Sequence, residues 1–233
     1  MQTTLRAILF DFDGVLANTE PVHLQMFQKV LSAEGIGLTR EAYFEKYLGL
    51  DDRACIAQVY RDAGKVLDEA KAETLVARKN AAMLGFVKGQ SLLLPGAREV
   101  VEKASDRYFL AVVSGALRNE IETILEGEGL RGKFHVIVAA DDVSEGKPSP
   151  EGFLAAIRLL NRDFVPEAEI LLPEECLAIE DSPWGLDAAK QAGVRGLAVT
   201  TSYARERLRN ADLITKDLSS LPWNEVESLF RKS

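Results

Sequence analysis

The sequence predicts an α/β fold, a parallel sheet whose first strand is separated from the others by an all-helical insert. Three observations predict it. Short, nearly unbroken apolar runs, suited to strands covered on both faces, recur along the chain. From about residue 95 onward these runs alternate with helical stripes, the pattern of strand–helix units in a parallel sheet. Between residues 17 and 94 strand candidates disappear. The expected organisation is an α/β core of residues 1–16 and 95–233 and an inserted helical domain of residues 17–94.

Arg6-Ala7-Ile8-Leu9-Phe10 is the first strand candidate. Val22, Met26, Phe27, Val30 and Leu31 then make one helical face, Ile56, Val59 and Tyr60 a second, and Leu75, Val76, Met83 and Leu84 a third. After the insert a helix over 96–105 carries Val100, Val101 and Ala104 on one stripe. The run Tyr108 to Val113 stops at Ser114-Gly115 and is followed by a helical stripe of Ile121, Ile124 and Leu125. His135 to Ala139 is the next strand. Ser149-Pro150 opens a helix, with Ser as cap and Pro in the first turn. Cys176-Leu177-Ala178-Ile179 stops at Glu180-Asp181, and Ser182-Pro183 repeats the helix-start signal. Gly193 ends that helix, and Gly196 to Val199 completes a set of five strands.

Composition narrows the function classes. Hydrophobic residues at 47% supply a full core, and a net charge of −8 lacks the basic face that nucleic acid or an anionic membrane requires. Two His and two Cys give no zinc-ligand spacing. Cys55 and Cys176 therefore read as small packing residues. The first apolar stretch is broken at once by Asp11 and Asp13, which is no leader sequence, and no run is long enough to cross a bilayer. The expectation is a cytoplasmic protein. Its oligomeric state is left open, a monomer being compatible.

Three polar clusters each follow an apolar strand: Asp11-Phe12-Asp13-Gly14, Ser114-Gly115 and Glu180-Asp181-Ser182. Open parallel sheets bind ligands beyond the carboxyl ends of their strands. If these strands are neighbours, the clusters meet there, and Lys147 in Gly146-Lys147-Pro148 reaches the same crevice. Four carboxylates in one small volume disfavour ionisation unless a cation intervenes. Oxygen ligands without His or Cys suit Mg²⁺. Asp11 and Asp13, at i and i+2 of an extended chain, point to the same side. Asp11 can attack phosphorus as a carboxylate nucleophile. Asp13 can protonate the leaving oxygen and then deprotonate water. Ser114 and nearby backbone N–H groups can bind the transferring phosphoryl oxygens.

Asp11-Phe12-Asp13-Gly14-Val15-Leu16 with Thr19, then Ser114, Lys147 and Glu180-Asp181-Ser182, resembles the four motifs of the haloacid dehalogenase superfamily in order and separation, over nearly the whole chain. The resemblance implies a Rossmann-like core, a helical cap of the type inserted between the first and second motifs, and Mg²⁺. It implies that Asp11 and Asp181 hold the metal, that Asp13 adds its backbone carbonyl, and that Glu180 is a direct or water-mediated partner. The superfamily's dehalogenases lack the second Asp, so Asp13 points to phosphoryl transfer. The implied function is a phosphatase of a small phosphorylated metabolite, a sugar phosphate or a phosphoglycolate-like acid, which the cap selects.

His23 and Arg78-Lys79-Asn80 resemble the β-phosphoglucomutase branch, whose His and Lys at these places reach the active site. A mutase is accordingly the alternative reading, and an inactive metal- or phosphate-binding relative the remote one. Arg53, slightly out of register with the arginine of that branch, is a candidate for a second anionic group. After Ser114 the mutases place polar residues. Here Gly115 is followed by Ala116 and Leu117, which have no side-chain donors, leaving Arg118 and Asn119 as candidates. Trp184 is expected to pack rather than touch substrate.

Overall fold

The computed structural model describes residues 4–231. In chain order its regular elements are β1 (Ala7–Phe10), α1 (Glu20–Ser32), α2 (Arg40–Ala42), α3 (Asp52–Asp62), α4 (Glu69–Val87), α5 (Ala97–Ser105), β2 (Phe109–Val113), α6 (Arg118–Gly127), β3 (Val136–Val138), α7 (Glu151–Asp163), β4 (Cys176–Glu180), α8 (Pro183–Gln191), β5 (Arg195–Val199), β6 (Leu213–Thr215) and α9 (Trp223–Leu229). They form two compact units, Met1–Asn18 with Ser91–Ser233, and Thr19–Gln90.

The first unit is built on a six-stranded, wholly parallel sheet of order β3-β2-β1-β4-β5-β6. Alternate residues of each strand face opposite sides. Ala7, Leu9, Ala111, Val113, Val136, Val138, Cys176 and Ala178 pack into one buried cluster with Phe153, Ile157 and Leu160 of α7 and Ala188 and Ala189 of α8. Phe10 meets the edge of Phe134 at 6.0 Å between ring centroids. Strands this apolar are stable only when both faces are covered.

The sheet has a sixth strand that the sequence reading omits. Leu213–Thr215 is three residues long and half-buried, so its apolar run is too short to register. The unit boundary also moves from 16/17 and 94/95 to 18/19 and 90/91. Ala17 bridges Leu93, Asn18 N–H donates to Leu92 O at 2.7 Å, and Leu94 N–H donates to Leu16 O at 2.9 Å. The two connecting segments pair with each other and so belong with the sheet.

The second unit is helical. Asp51 and Asp68 cap α3 and α4, their side chains accepting Ala54 N–H and Lys71 N–H, both at 2.8 Å. Phe27, Val30, Leu31, Ile56, Val59, Tyr60 and Leu75 meet in its core. A π-helical turn, Tyr43–Tyr47, is an element the sequence does not announce. Among the described residues no helix is long and apolar enough to cross a membrane. Both cysteines are buried and unpaired, and burial pushes each thiol up to about 12.

Candidate active site

The sheet order reverses direction at β1, which has β2 on one side and β4 on the other. Parallel sheets bind ligands beyond the carboxyl ends of their strands at such a point. Asp11 follows β1, Ser114 follows β2 and Glu180 ends β4, so the register places them there together. Phe10 pairs with Val112 and Ile179. Asp11 N–H extends the ladder to Ile179 O at 2.9 Å, and Ser114 N–H does the same to Val138 O at 3.0 Å.

Lys147 ties the three strands. Its ammonium donates to Asp11 Oδ1 at 2.7 Å and to Val113 O at 2.9 Å, and it lies 2.6 Å from Glu180 Oε1. Asp11, Glu180 and Asp181 are all buried, and one carboxylate oxygen from each lies within 4.8 Å of the other two. Glu180 is fully buried and its Oε2 accepts Ser182 Oγ–H at 3.0 Å. The Ser182 hydroxyl in turn accepts Gly185 N–H at 3.1 Å, so the acidic pair is welded to the first turn of α8.

Two glycines make room for the carboxylates. A Cβ on Gly185 would sit 2.1 Å from both Glu180 carboxylate oxygens. A Cβ on Gly14, where φ is +76°, would sit 1.9 Å from Asp181 Oδ2. Neither position tolerates a side chain without displacing an acid of the cluster. The sequence reading did not assign these roles. It also omitted Thr201, whose hydroxyl donates to Gly14 O, and Ser202, which hydrogen-bonds Asp181. Their signal was available: Thr200-Thr201-Ser202 is a polar run directly after an apolar strand, like the other clusters.

The electrostatics follow from three acids sharing one ammonium. Burial, with Asp11 nearby, raises the Glu180 carboxyl to about 7 despite Lys147. Burial, then Asp11 and Glu180, raises Asp181 well above the carboxylate range. Burial works against the Lys147 charge, but Asp11 and Glu180 outweigh it and its pKa rises. All donors are hard oxygens and the cluster is short of positive charge, so the residues fit a divalent cation such as Mg²⁺.

A pH dependence follows for the metal-free protein. Glu180 and Asp181 bind protons more tightly folded than unfolded. The contribution of Glu180 to stability is full below its unfolded value of 4.5 and is lost as pH rises through about 7, and Asp181, also raised, acts in the same direction. Lys147, also raised, keeps its contribution until far higher pH. The melting temperature without metal is expected to fall between about pH 5 and pH 8, and Mg²⁺ to restore it at pH 8 by binding the folded state. Thermal melts with and without chelator check this.

The other candidate residues divide. Ser114 is buried, and its Oγ accepts Ala116 N–H at 3.1 Å, which leaves its proton for another acceptor. Gly115 is exposed, with open space where a Cβ would stand. Asp13 is half-buried in the turn after β1, where Leu16 and Ala17 N–H both donate to Phe12 O. Arg118, a candidate for the polar residues missing at Ala116 and Leu117, is engaged by neighbouring groups. Its guanidinium donates to Ile137 O at 2.7 Å and to Asp142, because it ties the start of α6 to β3 and the loop beyond. Asn119 is exposed. Trp184 packs edge-on against Tyr203 at 5.3 Å.

In the helical unit, Lys79 is buried and lies 2.8 Å from Asp52 Oδ1 and 2.7 Å from His23 Nδ1. Arg53, half exposed, is engaged by Glu69. Asp52 is a partner that the sequence reading did not identify.

Residues 5–193 match the family model described as haloacid dehalogenase-like hydrolase. The chain belongs to the haloacid dehalogenase-like hydrolases. Among relatives of this hydrolase is a validoxylamine A 7'-phosphate phosphatase of Streptomyces hygroscopicus subsp. limoneus, 30% identical over 95% of this chain and 98% of its own length. Two crystal structures of CbbY from Rhodobacter sphaeroides, at 29% and 28% identity, superimpose with a TM-score of 0.82 and cover 94% of this chain and 96% of theirs. One holds phosphate and the other xylulose-(1,5)bisphosphate.

Proposed function

We propose that this hydrolase is a Mg²⁺-dependent phosphatase of a small phosphorylated metabolite, acting through an aspartyl-phosphate on Asp11. The observation that carries the reading is Lys147 held between Asp11 and Glu180 at 2.7 and 2.6 Å, with Asp181 completing a cluster of three acids at the strand ends. A phosphatase relative and a phosphate-bound structural neighbour support it.

Asp11, Glu180 and Asp181, with Asp13, would hold Mg²⁺, which when bound offsets the negative charge between carboxylate and phosphate. Lys147 fixes the orientation of the Asp11 carboxylate. A free Asp11 oxygen forms a bond to phosphorus as the ester P–O bond breaks. Asp13 gives its proton to the departing oxygen. Asp13 then takes a proton from water as the water oxygen attacks phosphorus and the P–O bond to Asp11 breaks, releasing phosphate. The Ser114 hydroxyl donates to a phosphoryl oxygen where charge develops. Water as acceptor, rather than a second sugar hydroxyl, is supported by the loop after β2. Ala116 and Leu117 offer no side-chain donors there, and Arg118 is engaged by Ile137 O and Asp142. Substrate selection is assigned to the helical unit, with His23 and Lys79 as its polar groups.

The test is phosphate release from p-nitrophenyl phosphate. Chelation of metal is expected to lower turnover by about a hundredfold or more, since a metal Lewis acid supplies several kcal/mol, and added Mg²⁺ to restore it. Undiminished turnover in chelator would remove the metal from the mechanism.

A further inference from the structure

A lysine ammonium has three N–H donors. Those of Lys147 go to Asp11 Oδ1 at 2.7 Å, Val113 O at 2.9 Å and Glu180 Oε1 at 2.6 Å. None is left for Asp181, the third acid of the cluster. Asp181 is 5% exposed and faces the charges of Asp11 and Glu180. Its carboxylate takes a side-chain hydrogen bond from a different direction, the hydroxyl of Ser202.

Ser202 belongs to the loop after β5. Glu180 at the end of β4 pairs with Ala198 of β5, so the chain leaves β5 beside the turn that carries Asp181. Three anchors set the course of that loop. Thr200 N–H donates to Thr215 O and Lys216 O, both at 3.2 Å, which continues the pairing of β5 with β6. The Thr201 hydroxyl donates to Gly14 O. Tyr203 packs edge-on against Trp184, in the first turn of α8, at 5.3 Å, and the Arg207 guanidinium lies over the Tyr203 ring at 4.7 Å. Ser202 is thus flanked on both sides by residues whose side chains are engaged.

These contacts converge on Gly14. Its N–H donates to Ala17 O at 2.8 Å, closing the turn after Asp13, and its carbonyl accepts from Thr201. The point that a Gly14 Cβ would occupy lies 1.9 Å from Asp181 Oδ2 and 2.6 Å from Ser202 Oγ. Carboxylate and hydroxyl share the space that the glycine leaves. The terminal torsion of an aspartate is broad, so an unsupported carboxylate can turn its oxygens over a wide range. A hydroxyl fixed by its neighbours restricts that rotation, and a hydrogen bond to a charged acceptor is roughly twice as strong as a neutral one. Removing a group that orients a metal ligand in this way typically weakens the metal by about 10–100-fold.

We infer that Ser202 is a positioning residue for the metal site: its hydroxyl fixes the Asp181 carboxylate and so sets the affinity for Mg²⁺, with Thr201 and Tyr203 holding it in place. The inference rests on the metal-dependent reading above and adds to it a residue that no carboxylate pattern marks.

The experiment is calorimetric titration of the full chain with Mg²⁺, without substrate and at one pH, on wild type, Ser202→Ala and Ser202→Thr. Ser202→Ala is expected to raise the Kd for Mg²⁺ by about 10–100-fold, and the Mg²⁺ concentration for half-maximal phosphate release from p-nitrophenyl phosphate to rise with it. Ser202→Thr keeps the hydroxyl and is expected to bind Mg²⁺ more tightly than Ser202→Ala. The stoichiometry of binding reports the folded fraction, so partial unfolding does not enter the Kd. An unchanged Kd in Ser202→Ala overturns the inference even where its melting temperature falls, because a residue that only braced the loop would move the melt alone. Equal weakening in both variants overturns the role of the hydroxyl. If Ser202→Ala does not fold, Thr201→Val takes its place. It removes the anchor on Gly14, is expected to raise the Kd by a smaller factor, and overturns the inference if the Kd stays at the wild-type value. Absence of Mg²⁺ binding to wild type removes the metal-dependent reading itself, whereas wild-type binding that no variant alters removes this inference alone.

Discussion

Asp11→Asn is expected to lower phosphate release by on the order of 10⁴ or more, about 5 kcal/mol of barrier, while the protein stays folded. An amide keeps the shape of the carboxylate and an oxygen that can still accept from Lys147. It lacks the electron pair on a charged oxygen that would attack phosphorus. It also removes one of the three acids that fit the metal. Folding is expected to survive because the substitution takes a negative charge out of a cluster already rich in them. Circular dichroism and a thermal melt separate loss of chemistry from loss of fold. Wild-type turnover in a verified Asp11→Asn protein would mean that another group attacks.

Lys147→Met is expected to damage both rate and stability. The side-chain length is nearly kept, but Asp11 and Glu180 lose the cation they share at 2.7 and 2.6 Å. Removing one partner of a buried ion pair costs about 3–5 kcal/mol. Glu180 and Asp11 are buried and Lys147 is largely so, their side chains being 0%, 10% and 14% exposed. For a chain of this size that corresponds to a fall of roughly 6–20 °C in melting temperature. The loss of an oriented donor beside the nucleophile is expected to lower kcat by about 10²–10³. Mg²⁺ should recover more stability in the variant than in wild type, because a second cation then meets a larger deficit, and should leave most of the rate loss. A melt within about 1 °C of wild type in the absence of metal would show that Lys147 does not hold the acids together.

How much of this was legible in the sequence depended on distance along the chain. Strands that end in a polar cluster were readable because both signals sit within a few residues, and that pattern led to Asp11, Ser114 and Glu180-Asp181. The same rule, applied once more after Val199, would have reached Thr201 and Ser202. β6 was missed because three half-buried residues carry too little periodicity. The seam between the units was misplaced because Ala17 and Leu93 pair across the whole insert, and no local feature reports that.

The charged residues show the harder limit. Arg118 looked available beside Ser114, but its partner Asp142 lies 24 positions away. Lys79 has its partner, Asp52, on a different helix. A sequence states which charges exist, whereas pairing decides which of them remain to meet a ligand. Gly185 belongs to the same class. Nothing near it in sequence marks it as the space occupied by the Glu180 carboxylate.

The central claim is that Asp11 becomes covalently phosphorylated. Rapid mixing with a ³²P-labelled phosphate ester and Mg²⁺, acid quenching, and peptide mapping would read it directly. The account predicts a hydroxylamine-labile label on the peptide containing Asp11, absent in Asp11→Asn. A label on any other residue, or one that persists in Asp11→Asn, would contradict it.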